Sequence, residues 1–209
     1  MKFKDLREYI AFLEQKGDLR RVSTPVNFEL EITEIADRVV QSGGPALLFE
    51  NVVGYDTPVL INMFTSDQRM AWALGVEHVD ELVARMHGLL QLIQGPPEGL
   101  LNKLRTLGQL VHLGSFQPKT VRNAPCQEVV LQGAEVDLYQ FPILKCWPED
   151  GGPFITLPLV YTTHPDRRGH NLGMYRMQVH TPRTTGMHWQ IGKGGGYHYA
   201  VAEARGQRL

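Results

Sequence analysis

The sequence predicts an α/β domain that extends to about residue 115, followed by a β-rich domain over residues 116–209. Helical and strand-like segments alternate in the first part of the chain. Helical periodicity then disappears, and short strand-like segments separated by turn residues take its place. The 21 glycines and 13 prolines among 209 residues favour many turns and short strands over a helical bundle.

Helices in the first part are indicated by apolar residues that recur three or four positions apart. We predict helices that begin near Leu6 and stop before Gly17, span Leu30–Gln41, run from a cap at Ser66 or Asp67 to Leu74 with Gly75 after it, and span Glu77–Ile93. Short apolar runs bounded by turn residues predict strands at Leu19–Val22, Ala46–Phe49 and Pro58–Ile61.

Four strands are predicted in the second part of the chain, at Glu128–Gln132, Phe154–Thr163, Asn171–His180 and Gly186–Ile191. The turn residues of 164–169 predict that the second and third of these strands pair as a hairpin. A short helix is expected at Tyr197–Ala204. So few strands leave open sheet edges, and the alternative is a small complete α/β protein with a β appendage.

Charge and composition exclude several classes of protein. The chain has 21 Lys and Arg against 22 Asp and Glu, so its net charge of -1 argues against a basic nucleic-acid-binding surface. No run of 18 apolar residues predicts a membrane span. The charged N-terminus does not resemble a signal peptide. Cys126 and Cys146 cannot form a disulfide framework and are interpreted as packing thiols, so we expect a cytoplasmic protein.

Polar residues are densest between Arg167 and Gly196. Within this segment, Lys193 and the three glycines that follow precede the predicted helix. Backbone N–H groups without a neighbouring Cβ can cradle a phosphate, and the lysine adds positive charge. The alternative is a flexible turn, because the glycine run does not have the spacing of a P-loop.

Asn171 and His188 are candidate ligands for a hard cation. A carboxamide oxygen and an imidazole together suit Mn²⁺ or Mg²⁺ better than Zn²⁺. The alternatives are that Asn171 is a hydrogen-bonding residue at a turn and that His188 is a buried histidine bonded to the backbone.

Arg176 lies in the middle of a predicted strand, where an inward-facing arginine needs an anionic partner such as a carboxylate or a phosphate. An outward-facing surface arginine is the alternative. Asn171 and Arg176 are five residues apart, so a regular strand points them to opposite faces. They can share one site if Gly173 hosts a bulge, or if one contact is made through the backbone.

Six segments, taken in order, resemble the UbiD family of decarboxylases, which use prenylated flavin mononucleotide. These segments are Lys4–Arg7, Leu30–Arg38, Gly43–Asn51, Ala124–Glu128, Cys146–Asp150 and Asn171–Arg176. The resemblance covers the whole chain and implies a split β-barrel flavin-binding domain over residues 116–209. Family members are substantially longer than this chain.

The resemblance also implies roles for individual residues. Asn171 and His188 match ligands of Mn²⁺ beside the flavin phosphate, and a monovalent cation such as K⁺ is also allowed. Arg176 matches the active-site arginine that faces the substrate carboxylate. The residues that match the flavin-contacting stretches are Met174, Tyr175, Arg176, His188, Trp189, Gln190, Lys193 and Gly194.

For the intact enzyme, the resemblance implies non-oxidative decarboxylation of an aromatic or α,β-unsaturated acid, such as the 4-hydroxy-3-polyprenylbenzoate of ubiquinone biosynthesis. We expect a homo-oligomer that binds a small carboxylic acid, no nucleic acid and no integral membrane segment, with peripheral membrane association allowed. The family's acidic catalytic residues match no segment before Leu209, so we expect an N-terminal fragment that is inactive alone. The alternatives are an inactive flavin-binding or partner-binding fragment and a split-barrel flavin oxidoreductase.

Overall fold

A computed structural model describes residues 3–94, 120–166, 169–190 and 192–209. These residues form a mixed α/β structure with small sheets, grouped into two compact units. The first unit takes its residues from 1–15 and 63–131, and the second from 16–62 and 132–209. The domain boundary predicted near residue 115 lies outside the described residues and stays a prediction.

The helices of the described residues are α1 (Leu6–Gln15), α2 (Glu31–Gln41), α3 (Asp67–Leu74), α4 (Asp80–Gln94) and α5 (Gly194–Ala204). The strands are β1 (Leu19–Val22), β2 (Ala46–Phe49), β3 (Val59–Ile61), β4 (Phe154–Ile155), β5 (Leu159–Thr163), β6 (His170–Met174), β7 (Met177–Thr181) and β8 (Thr184–Met187). None of these helices combines the length and the apolar character needed to cross a bilayer.

The first unit contains α1, α3 and α4. Buried Tyr9 on α1 holds this unit together, because its hydroxyl lies 2.8 Å from the carbonyl oxygen of Arg69 and 3.1 Å from that of Met63. The predicted cap of α3 is confirmed, since Ser66 accepts a hydrogen bond from the Arg69 backbone N–H at 3.1 Å. Gly75 ends this helix in the left-handed conformation, with φ of 72°.

The second unit begins with a three-stranded sheet in the order β1-β2-β3, in which β1 and β2 are parallel and β2 and β3 antiparallel. All four residues of β2 are buried, which agrees with its continuous apolar sequence. Helix α2 joins β1 to β2 and buries Ile32 and Ala36. The core around Ile32 and Phe49 also contains Val26, Leu47 and Val52.

The predicted hairpin of the second unit is confirmed, but each of its strands is broken. β5 pairs with β6 and β4 pairs with β7, both antiparallel, yet the two pairs belong to different sheets. Residues 156–158 on one side and 175–176 on the other lie between the two pairs. The register therefore shifts by one residue across the break, and Pro158 has no N–H to continue the ladder.

Three further predicted elements differ from the structure. Glu128–Gln132 is not a strand, and the side chains of Val129 and Val130 are exposed. The last strand covers Thr184–Met187, whereas Ile191 lies outside the described residues. Helix α5 starts at Gly194 instead of Tyr197, so the three glycines form its first turn.

Candidate functional site

The buried hydroxyl of Tyr175 joins strand β6 to the start of helix α5. The Nδ2 atom of Asn171 donates to this oxygen at 3.3 Å, and the backbone N–H of Gly195 donates to it at 2.7 Å. Asn171, Gly173 and Tyr175 alternate along the chain and are the less exposed residues there, which agrees with the period of a strand. The predicted phosphate cradle and the predicted cation ligand Asn171 therefore lie against one another.

The glycines at the start of α5 are needed because other groups approach their backbone closely. A Cβ on Gly194 would collide with Oδ1 of Asn171. A Cβ on Gly195 would lie 2.7 Å from the Tyr175 hydroxyl, and one on Gly196 would lie 2.8 Å from the carbonyl oxygen of Gln190. These contacts explain why residues with poor helix propensity form the first turn of a helix.

Trp189 and Lys193 pack against the Tyr175 ring. The indole lies edge-on to it, with ring centroids 5.1 Å apart, and the Lys193 ammonium is 5.9 Å from its centroid. On the other side, Trp189 stacks on Tyr199 at 5.6 Å. Lys193 is the N-cap residue of α5, so its exposed positive charge lies at the helix end where unpaired N–H groups already favour an anion.

Arg176 and His188 form a second group. The backbone N–H of His188 donates to the carbonyl oxygen of Arg176 at 3.1 Å. Both side chains are exposed, and the Arg176 guanidinium lies 4.8 Å from the centre of the Phe154 ring. No ion pair of Arg176 is found among the described residues. The side chain of Arg176 thus takes the outward-facing alternative, with its donors available to a carboxylate.

The interruption between strands β6 and β7 explains how neighbouring residues reach different surroundings. β6 is regular through Gly173, which pairs with Val160, so the bulge considered at Gly173 is absent; the interruption comes after Met174, where pairing with β5 ends, and before Met177, where pairing with β4 begins. Tyr175 is buried, whereas Arg176 and Met174 are exposed. Neither a hydrogen bond nor an ion pair links the side chain of Asn171 to that of Arg176 or His188 in the described ranges. The predicted shared site stays a prediction.

Sequence reasoning missed two features of this region: the hydroxyl of Tyr175 as a junction, and Phe154 beneath Arg176. The alternation of Asn171, Gly173 and Tyr175 was the signal for the first. Cys126 is exposed and is not a packing thiol, whereas Cys146 is half-buried. Burial raises the pKa of the Cys146 thiol; the Asp150 carboxylate raises it further, and the Arg176 guanidinium lowers it.

Helix α5 also carries a buried histidine, which faces strand β5. His198 is 8% exposed, and its Nδ1 lies 2.9 Å from the Thr162 hydroxyl oxygen. The His164 ring meets it edge-on, with centroids 5.1 Å apart. Burial lowers the pKa of His198, and the charges of His164 and His170 lower it further. The hydrogen bond between His198 and Thr162 fixes α5 to β5.

Lys193 and the N–H groups of the first turn of α5 suit an anion, and the side chains of Asn171 and His188 suit a cation. The carboxamide oxygen of Asn171 accepts no hydrogen bond from the described residues, and the exposed imidazole of His188 likewise has no side-chain partner there. The described ranges contain no group of three or more His, Cys, Asp or Glu side chains arranged around a metal ion. A separate groove of about 970 Å³ lies between α2 and residues 146–148, and none of the predicted site residues lines it.

Comparison with known proteins gives matches along most of the chain. Residues 10–86 match the 3-octaprenyl-4-hydroxybenzoate carboxy-lyase N-terminal domain, and residues 119–209 match the Rift-related domain of the same carboxy-lyase. An uncharacterized protein of Archaeoglobus fulgidus is 47% identical over 210 residues, which cover all of this chain and 42% of that protein.

Solved structures of UbiD-class enzymes also match. A vanillic acid decarboxylase of Sedimentibacter hydroxybenzoicus in closed form is 27% identical, with a TM-score of 0.77 over 98% of this chain and 41% of that one. HmfF of Pelotomaculum thermopropionicum in complex with FMN is 27% identical, with a TM-score of 0.71 over 97% and 40%. An evolved dimeric HmfF in complex with prFMN is 26% identical, with a TM-score of 0.73 over 98% and 42%. The chain spans about 40% of the length of these relatives.

Proposed function

The chain belongs to the UbiD family of carboxy-lyases, and on this basis we propose that it supplies the cofactor-phosphate and substrate-carboxylate contacts of a decarboxylase. The reaction is non-oxidative removal of CO₂ from an aromatic or α,β-unsaturated carboxylic acid. The single observation that carries the proposal is the junction of Asn171, Tyr175 and Gly195, where a free carboxamide oxygen lies beside the first turn of α5.

The first turn of α5 and Lys193 bind the phosphate of prenylated FMN. Exposed N–H groups, the helix dipole and the ammonium group all favour an anion there. Asn171 and His188 hold Mn²⁺ through an oxygen and a nitrogen, which are ligand types that Mn²⁺ accepts. The remaining residues of the flavin-contacting stretches, which line the cofactor, are Met174, Tyr175, Trp189, Gln190 and Gly194.

Arg176 binds the substrate carboxylate. Its exposed guanidinium has five donors in a planar fork that matches the two oxygens of a carboxylate. Stacking on Phe154 limits the rotation of the fork, so the acid is held in one orientation. When bound, the modified flavin would supply the electron sink for the electron pair that remains on the substrate carbon as CO₂ departs. Arg176 keeps the carboxylate fixed until the bond between the substrate carbon and the carboxylate carbon breaks.

We propose 4-hydroxy-3-polyprenylbenzoate, an intermediate of ubiquinone synthesis, as the substrate class. The matched domains are named after a 3-octaprenyl-4-hydroxybenzoate carboxy-lyase, which supports this choice. Two small antiparallel sheets, β4-β7-β8 and β5-β6, support a split-barrel flavin domain. The dimeric form of HmfF supports a homo-oligomer.

We further propose that the 209 residues alone do not decarboxylate. No carboxylate pairs with Arg176 in the described part of the chain, and the relatives are more than twice as long. Decarboxylation needs an acid to protonate the carbon that CO₂ leaves, and no acid of the described residues lies against Arg176 as an ion pair.

The proposal is tested by CO₂ release from the full-length protein that contains this chain, supplied anaerobically with prenylated FMN, Mn²⁺ and a panel of aromatic and acrylic acids. We expect CO₂ from at least one acid, and none from the 209 residues alone. CO₂ release by the 209 residues would show that they already hold the acid. Oxidation of NADH without CO₂ release would instead identify a flavin oxidoreductase.

A further inference from the structure

We propose that Tyr175 is a positioning residue whose hydroxyl turns the Asn171 carboxamide so that its oxygen remains free for a divalent cation. The same hydroxyl ties this amide to the first turn of α5. The inference rests on the proposed function, because it assigns a task to a residue of that site. This role is additional to lining the flavin, since through its hydroxyl Tyr175 acts on the cation by way of Asn171.

The contacts of the Tyr175 hydroxyl fix its place. The residue is 3% exposed, so its hydroxyl relies on protein partners in place of bulk water. Gly195 N–H donates to it at 2.7 Å, which occupies one of the two acceptor positions of the oxygen. Nδ2 of Asn171 donates to the other at 3.3 Å.

The two orientations of the carboxamide differ in which Asn171 atom they leave free. If the amide were turned over, the Tyr175 O–H would donate to the Asn171 oxygen and that oxygen would be occupied. In the observed orientation, Tyr175 accepts from the amide nitrogen, and Oδ1 lies beside Gly194 in the space that a Cβ would fill. Only this orientation leaves an oxygen available for a hard cation.

The observed orientation also makes cation and anion binding interdependent. With two donors already directed at its oxygen, the Tyr175 hydroxyl has its own proton left to donate. A phosphate at the N-terminal end of α5 supplies an acceptor of the right charge. The cation would coordinate the Asn171 oxygen and the anion would accept the hydroxyl proton, so neither ligand alone satisfies both groups of this junction.

The Tyr175 ring is held independently of its hydroxyl. Trp189 packs edge-on against it, and the Lys193 ammonium lies over its face. Replacing Tyr175 with phenylalanine therefore retains the ring contacts and removes only the group that orients Asn171. Tyr199 offers a matched control on α5, because its hydroxyl bonds the exposed carboxylate of Glu203 at 2.9 Å while its ring stacks on Trp189.

The test is a Mn²⁺ titration followed by electron paramagnetic resonance, with FMN present, on the full-length protein carrying this chain. We expect Tyr175→Phe to weaken Mn²⁺ binding about 10- to 100-fold, the usual effect of removing a group that orients a metal ligand. Tyr199→Phe should bind Mn²⁺ as the wild type does. In the metal-free protein, the Gly195 amide should exchange its hydrogen faster in Tyr175→Phe than in Tyr199→Phe.

The outcomes separate this inference from the proposed function. Equal Mn²⁺ affinity of Tyr175→Phe and wild type overturns the positioning role and leaves the decarboxylase proposal intact. Absence of Mn²⁺ binding by the wild type overturns both. Neutron diffraction from the wild type tests the inference without any variant, because it locates the deuterons of Asn171. Deuterons directed at Tyr175 support the inference, and an amide oxygen directed there overturns it.

Discussion

The backbone N–H of Gly195 donates to the hydroxyl of Tyr175 across 2.7 Å, which joins the first turn of α5 to the end of β6. A side chain at position 195 would intrude on this junction. We expect Gly195→Ala to destabilise the protein by about 1–3 kcal/mol, because the added Cβ would lie 2.7 Å from that hydroxyl and 2.8 Å from the Trp189 ring. Denaturant unfolding followed by circular dichroism measures the change.

Gly88→Ala is the matched control for this substitution. Gly88 lies inside α4, and among the described residues a Cβ there meets no atom within 4 Å. Alanine at this position should stabilise the helix by about 0.5–1 kcal/mol, because it restricts the unfolded chain and has the higher helix propensity. Stabilisation by both substitutions would show that the backbone near Gly195 can move away from Tyr175.

The elements that the sequence predicts correctly are those in which capping residues, turn residues and alternation of apolar residues agree with the packing around them. Helix α3 has a hydroxyl cap at Ser66 and a glycine stop at Gly75, and both act as predicted. The pairing of β5 with β6 also follows from alternation and an intervening turn. Pro158 was a local signal for the break in the first hairpin strand, because a proline inside such a run disfavours a continuous strand.

Other features depend on contacts that a single segment does not reveal. The glycine run at the start of α5 has the composition of a loop, and only the close approach of Asn171 and Tyr175 explains why it is helical. Val129 and Val130 have strong strand propensity, yet they are exposed and pair with no strand of the described residues. Strand formation requires a partner, which propensity does not supply.

The stability of the second unit should decrease as the pH falls below about 6.5, the ordinary pKa of histidine. Burial, together with His164 and His170, lowers the pKa of folded His198, so the unfolded chain binds a proton before the folded protein does. The stabilisation that depends on His198 is therefore complete above the pKa of histidine in the unfolded chain. It is lost as the pH falls towards the pKa of His198 in the folded protein, with a slope of at most about 1.4 kcal/mol per pH unit.

His198→Gln should flatten this dependence between pH 5 and 7, because glutamine does not titrate and can still bond Thr162. Exposed His87 provides the control, and His87→Gln should leave the slope unchanged. Urea unfolding at several pH values measures both variants. An equal slope in His198→Gln and wild type would mean that another group binds the proton on unfolding.

Removal of the cap of α3 should cost about 1 kcal/mol of stability. Ser66 accepts a hydrogen bond from the Arg69 backbone N–H, one of the N-terminal groups that the helix itself cannot satisfy. Ser66→Ala removes the acceptor, whereas Ser66→Asn replaces it with another side chain that caps well. Thermal unfolding should show a lower midpoint for the alanine variant and a near-wild-type midpoint for asparagine.

Arg176 should affect catalysis much more than stability. Its side chain is exposed and, within the described residues, its guanidinium lies over Phe154 without an ion pair. We expect Arg176→Gln to reduce kcat/KM of the full-length enzyme about 10- to 150-fold, the equivalent of a charge-assisted hydrogen bond worth about 1.5–3 kcal/mol. Exposed Arg208 provides the control, and Arg208→Gln should retain wild-type activity.

Arg176→Lys distinguishes bidentate binding by a guanidinium from binding by a single ammonium charge at the same position. Lysine keeps the positive charge but cannot bond both carboxylate oxygens in one plane, so it should recover only part of the activity that glutamine loses. FMN affinity and the unfolding midpoint should remain at wild-type values in both variants, because Arg176 acts on the substrate. A parallel loss of FMN binding would assign the guanidinium to the cofactor instead of the substrate carboxylate.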